Sequence, residues 1–178
     1  MDLFVIRHGQ TLINVLGMVN GRNKIGLNRI GKNEAKKASK EVEELNLDLI
    51  ICSPLKRTKQ TCNLVNKNGI KVIYDERLLE RNSNKVQFNK ISGLDFNEWY
   101  DINKEILPKD AEGFKSIYER TVSLIKDLKD KYPGNKIMFV THGDVCKAIN
   151  AYFNNIKDSK TISEFNQGNC EIKKYTLE

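Results

Sequence analysis

The sequence predicts an α/β protein in three layers, with a mostly parallel central sheet and helices on both faces. Three observations carry that expectation. Short apolar runs of strand length stand at 3–6, 49–52, 72–74 and 137–140. Stretches with helical spacing lie between them, and such alternation builds a parallel sheet covered by helices. Two of the runs lead directly to a His-Gly pair, His8-Gly9 and His142-Gly143, which belongs at the carboxyl ends of the strands, where sheets of this type bind ligands.

The elements follow in order. Leu3 to Ile6 is closed by Arg7 after four residues, far too short for a signal core or a membrane span. A helix follows Gly31, with Ala35, Ala38, Val42 and Leu45 inward. After the run at 49–52 a helix starts at Pro54, with Ser53 as its N-cap. The segment 82–110 breaks the alternation; its stripe of Trp99, Ile102 and Ile106 predicts a small helix inside a lid-like excursion over one rim of the sheet. The clearest helix runs over 111–131, where Phe114, Ile117, Tyr118, Thr121, Leu124, Ile125 and Leu128 share a face and Pro133-Gly134 stops it. A last helix carries Val145, Ala148, Ile149, Tyr152 and Phe153. No repeat, low-complexity tract or linker divides the chain, so 1–178 reads as a single domain.

Thirty Lys plus Arg against 23 Asp plus Glu give a net charge of +7, which favours an anionic partner without choosing it. The aromatics fall mainly at helix-core spacing, with no basic-aromatic stripe for stacking bases. A small phosphorylated substrate is therefore expected ahead of nucleic acid or a membrane. Cys52, Cys62, Cys146 and Cys170 make no C-x-x-C pair, and two histidines are too few for a zinc set. Reduced thiols in a cytoplasmic protein, with no metal and no cofactor, are the expectation. Nothing in the pattern specifies an oligomeric state.

The strand ends carry the chemistry. A glycine after each histidine lets a ligand approach the backbone and leaves an N–H to point at an anion. Ser53-Pro54-Leu55-Lys56-Arg57 brings a helix N-terminus and Arg57 to the same rim. The end of the run at 72–74 brings carboxylates, of which Glu80 and Glu76 are both candidates, with Arg77 and Arg81 as possible ion-pair partners. Two histidines, at least two arginines and a carboxylate are the inventory for moving a phosphoryl group without a metal.

These residues resemble the histidine phosphatase, or phosphoglycerate mutase-like, superfamily. Arg7-His8-Gly9-Gln10-Thr11 with Asn14 is similar to its R-H-G-[EQ]-[ST] opening, and Gly21-Arg22, Leu27 and Gly31 follow in the family's order. Ser53-Pro54-Leu55-Lys56-Arg57-Thr58-Lys59-Gln60-Thr61 resembles its S-P-L-x-R-[AT]-x-Q-T helix, Leu78-Leu79-Glu80 its L-x-E, and Thr141-His142-Gly143 its closing [ST]-H-G. The resemblance implies a metal-independent phosphatase of small phosphomonoesters. His8 would form a phosphohistidine; Arg7, Arg57 and His142 would grip the phosphoryl group. Asn14 and the Gly143 N–H would complete the pocket, Glu80 would act as general acid with a pKa raised by partial burial, and Arg22 and Thr11 would contact substrate.

Two stretches depart from the family pattern. Residues 81–93 replace a G-x-W-E-G run, and Asn23-Lys24-Ile25-Gly26-Leu27-Asn28 replaces a more acidic, proline-bearing version. Substrate choice is usually decided in such loops. An α-ribazole-phosphate phosphatase, a phosphoglycerate mutase and a phosphate- or nucleic-acid-binding scaffold stand as the alternatives to a general phosphatase.

Overall fold

A computed structural model describes residues 1–177. In chain order the elements are β1 (Asp2–Arg7), α1 (Leu12–Val15), α2 (Arg29–Glu44), β2 (Leu49–Cys52), α3 (Lys56–Val65), β3 (Val72–Tyr74) and α4 (Phe96–Trp99). They continue with β4 (Ile106–Leu107), β5 (Ala111–Glu112), α5 (Phe114–Lys131), β6 (Lys136–Thr141), α6 (Gly143–Phe153), α7 (Ser159–Glu164) and β7 (Ile172–Thr176).

The central strands β1, β2 and β6 are apolar between their end residues because both of their faces are covered, and alternate residues go to opposite sides. Leu3, Val5, Leu49, Ile51, Ile137 and Phe139 pack with Phe114, Ile117, Leu124 and Ile125 of α5 and Val145 and Ile149 of α6. Phe4, Ile6, Ile50, Cys52, Met138 and Val140 pack on the other face with Ala35 and Val42 of α2 and Cys62 and Val65 of α3. The sheet order is β3-β2-β6-β1-β7. The four expected strands pair in parallel, β1 with β6 and β2 with both β6 and β3, so their carboxyl ends share one rim.

The fifth strand, β7, runs antiparallel to β1 and was not expected. It is an edge strand with no fully buried position, so its Lys173 and Lys174 obscure the alternation that marks a half-buried strand. Three local expectations are corrected. Helix α3 begins at Lys56, with extended Leu55 in the cap position, so Ser53 does not cap it. The long helix begins at Phe114; Ala111 and Glu112 instead pair with Ile106 and Leu107 as a short ladder. The stripe of Trp99, Ile102 and Ile106 is not one helical face: α4 is a single turn, and Ile106 lies 71% exposed in β4. Around these, residues 82–110 form short turns rather than regular structure, with Val86, Trp99, Tyr100 and Leu107 buried beneath them.

Candidate active site

The parallel register sets the two histidines side by side. Arg7 of β1 pairs with Thr141 of β6, and the His8 N–H extends the ladder to the Thr141 carbonyl at 3.0 Å. His142 follows at the N-terminus of α6, and the two rings stand 5.3 Å apart. Both histidines are buried. Burial first, and then the Arg57 cation, hold both pKa values well below the usual histidine range, with Arg7 adding to the effect on His8.

The neutral ring of His8 has a defined tautomer. Nδ1 lies 2.8 Å from the Gly9 carbonyl and donates to it, which leaves the lone pair on Nε2. Arg57, fully buried in the first turn of α3, donates from Nε to His8 Nε2 at 3.2 Å and from its terminal nitrogen to the Gly21 carbonyl at 2.7 Å. Burial draws the Arg57 pKa down to about 10 against the opposing field of Glu80, so the guanidinium stays charged at neutral pH. Arg7 donates to the Gln167 carbonyl at 2.8 Å and keeps a buried Nε–H without a partner.

The two glycines differ. The Gly9 N–H is taken by Thr61 Oγ1 at 3.1 Å, and a Cβ on Gly9 would stand 2.4 Å from the Gly31 carbonyl oxygen. Gly9 therefore lets α2 approach β1; its N–H is not free for an anion, contrary to the expectation. Gly143 has only Arg7 near its missing Cβ, at 3.7 Å, and it faces the cavity. Ser53, released from any capping role, places Oγ 2.7 Å from His142 Nε2, while His142 Nδ1 has no partner.

Glu80 and Glu76 are separated by burial. Glu76 is exposed in the turn after β3; Glu80 is 8% exposed and accepts from the Arg81 N–H at 2.9 Å. Burial and then the Asp144 carboxylate raise the Glu80 pKa to about 7. A cavity of about 170 Å³ opens at this rim, and Arg7, His8, Asn14, Glu80 and Gly143 line it. Arg57 and His142 are not part of the cavity wall but stand next to His8, Arg57 at its Nε2 and His142 ring beside ring. Thr11 is off the wall too; its hydroxyl and N–H both bond to Asn14 Oδ1, at 2.9 and 3.0 Å, in the capping box of α1. Arg22 lies outside the wall as well; it donates to the Glu80 carbonyl at 2.8 Å and pairs with Glu112 at 3.1 Å.

Several contributors escaped the sequence reading. Asp144 sits on the cavity wall and pairs with buried Arg81 at 2.6 Å, and the Arg81 guanidinium stacks on Trp99 at 4.2 Å. Asp144 directly follows Gly143, yet an acid in the first turn of a helix is ordinarily a dipole partner. From the C-terminal segment, Gln167 holds Arg7 and Asn169 donates to the His8 carbonyl at 2.7 Å; no local pattern marks either. Among the described residues no three His, Cys, Asp or Glu side chains gather as a metal set, and no helix is long and apolar enough to cross a membrane.

Comparison with known proteins gives a consistent result. Residues 3–178 match the family model of the histidine phosphatase superfamily, branch 1. The uncharacterized phosphatase PhoE of Bacillus subtilis is 24% identical over 146 residues, covering 82% of this chain and 73% of that protein. Phosphoglycerate mutase-like protein 4 of Arabidopsis thaliana is 26% identical over 163 residues, covering 83% and 69%. Among solved structures, a mycobacterial glucosyl-3-phosphoglycerate phosphatase in complex with VO3 superposes with a TM-score of 0.85 at 22% identity, covering 97% of this chain and 91% of that one. The family model spans nearly the whole sequence, and Arg7, His8, Asn14, Glu80 and Gly143 of its motifs line one cavity with Arg57 and His142 beside His8: this chain belongs to the histidine phosphatase superfamily, branch 1.

Proposed function

We propose that this protein hydrolyses small phosphomonoesters through a phosphohistidine on His8, without a metal ion. The observation that carries the reading is the neutral His8 ring at the cavity wall, its Nδ1–H held by the Gly9 carbonyl and its Nε2 next to Arg57. Nε2 attacks phosphorus in line; the P–N bond forms as the ester P–O bond breaks. Arg57 and Arg7 supply planar donor sets to the non-bridging oxygens, and His142 and the Gly143 N–H meet the charge that builds on them. Glu80, half protonated near pH 7, gives its proton to the leaving alkoxide. As a carboxylate it then takes a proton from the water that displaces His8 from phosphorus, which returns both groups to their starting states. Asn14 helps to fix the substrate from the wall. The excursion at 82–110 contributes Ser83, Leu94, Trp99 and Tyr100 to the same wall and acts as the rim under which substrate enters.

The test is phosphate release from a panel of phosphomonoesters by wild-type and His8→Ala protein, without added metal, between pH 5 and 8. Release that requires His8 supports the reading. Isomerisation of a phosphoglycerate with no phosphate released marks a mutase, and binding of vanadate with no turnover marks a scaffold.

A further inference from the structure

Among the described residues the cavity wall beyond the phosphoryl site offers a carboxylate and no cation with uncommitted donors, and we infer that the enzyme selects phosphomonoesters whose alcohol portion is uncharged and hydroxylated, with Asp144 excluding those that carry a carboxylate. The inference rests on the phosphatase reading of the site. Of the cationic side chains on the wall, Arg7 is the one that the proposed reaction assigns to the phosphoryl group, and it donates to the Gln167 carbonyl at 2.8 Å. Arg81 is 1% exposed, and its donors are directed at Asp144 Oδ2 at 2.6 Å, the Glu112 carbonyl at 2.7 Å and the Trp99 carbonyl at 3.0 Å. The Lys147 ammonium is committed to backbone; it donates to the carbonyls of Ile162 at 3.1 Å, Ser163 at 2.7 Å and Phe165. Arg22 is off the wall and paired with Glu112.

Asp144 has the opposite character. Its Oδ1 accepts from the Tyr100 hydroxyl at 3.1 Å, and 15% of the side chain remains exposed. Arg81 keeps it ionised, pulling its pKa below the usual carboxylate value against burial. A substrate carboxylate placed here meets a like charge in a partly desolvated site, and the cations beside it, Arg81 and Lys147, have their donors committed to protein oxygens. A substrate hydroxyl can donate to Asp144 or bond with the neighbouring amides and hydroxyl of Asn14, Asn20 and Ser83, all on the wall.

The decisive comparison uses glycerol 3-phosphate and 3-phosphoglycerate, which share a phosphoryl group and a three-carbon frame and differ in one terminus, hydroxymethyl against carboxylate. Wild-type kcat/KM should favour glycerol 3-phosphate by roughly tenfold or more, equivalent to about 1.4 kcal/mol. Asp144→Asn removes the repulsion and frees a donor of Arg81, so the ratio should fall toward unity or invert. A wild-type preference for 3-phosphoglycerate, or a ratio that Asp144→Asn leaves unchanged, overturns the inference. If the variant does not fold, the wild-type ratio decides alone. Hydrolysis of neither ester nor of p-nitrophenyl phosphate is a different result, the failure of the phosphatase reading itself.

Discussion

Arg57 Nε lies 3.2 Å from His8 Nε2, so one N–H bond occupies the lone pair that would attack phosphorus. The contact keeps the imidazole unprotonated and correctly turned in the empty site, and it must be exchanged for a phosphoryl oxygen when substrate enters. The arginine thus serves as a placeholder for the substrate's own oxygen. Removing either partner disturbs both the resting state and the transition state.

His8→Ala should lower phosphate release by about three orders of magnitude or more while leaving the fold in place. An acid-labile, alkali-stable phosphoenzyme should be trapped from wild-type protein and absent from the variant. Retained turnover would mean that another group attacks phosphorus.

Arg57→Lys keeps the charge but not the fork that spans His8 Nε2 and the Gly21 carbonyl. A fall in kcat/KM of roughly 10²–10³ is expected, from the cost of losing an oriented donor at a developing anion. An unchanged value would place Arg57 outside the reaction.

Glu80→Gln should damage hydrolysis of alkyl phosphates far more than that of p-nitrophenyl phosphate, whose leaving group scarcely needs a proton. With the Glu80 pKa at about 7, wild-type turnover of alkyl esters should decline above that pH as the acid ionises. The variant should lack this limb of the pH profile.

Stability should also depend on pH, with a sign that follows from the buried groups. His8 and His142 bind their protons far more weakly in the fold than in the unfolded chain. Stability is therefore lost as pH falls through about 6.5, where the unfolded histidines charge. Glu80 works the other way: its raised folded pKa of about 7 means that stability is lost as pH rises from about 4.5 to 7. Two histidines outweigh one glutamate below pH 6.5, so the urea midpoint should drop between pH 6.5 and 5. His142→Gln should flatten that drop; an unaltered slope would show that His142 is already protonated in the fold.

The two His-Gly pairs look alike in the sequence and call for different outcomes on substitution. Gly9→Ala forces a Cβ to within 2.4 Å of the Gly31 carbonyl and should cost about 1–3 kcal/mol or more as β1 and α2 are pushed apart. Gly143→Ala meets nothing closer than 3.7 Å and should leave the melting temperature nearly unchanged while raising KM through the cavity it narrows. Thermal melts and steady-state kinetics on the pair would separate packing from binding.

That contrast marks where sequence reasoning succeeds and where it stops. Of the four parallel strands, β1, β2 and β6 were legible because burial on both faces makes them apolar at nearly every position, and β3, half-buried at the sheet edge, because it is still a short apolar run. Convergence of His8, His142 and Arg57 was legible because each directly follows a strand or stands in the first turn of the helix after one, and Glu80 because it lies a short turn beyond β3. The partners that orient them were not. Ser53 was read as a cap because serine before proline usually is one, yet its hydroxyl turns to a histidine 89 positions away. Asp144 and Arg81, 63 residues apart, are joined only by the fold, and β7 is too exposed for its pattern to register.

The placement of β1 bears on the order in which the site can be assembled during folding. This strand is flanked by β6 and β7, which follow it in the sequence only after every other strand and the long helix α5. Gln167 and Asn169 must also arrive before Arg7 and His8 acquire their anchors. The nucleophile therefore has no socket until segments far along the sequence have folded onto its strand. Pairings this distant in sequence form slowly. Closing the active site is accordingly tied to the slowest contacts of the sheet, and β1 is an unpaired apolar segment until they form.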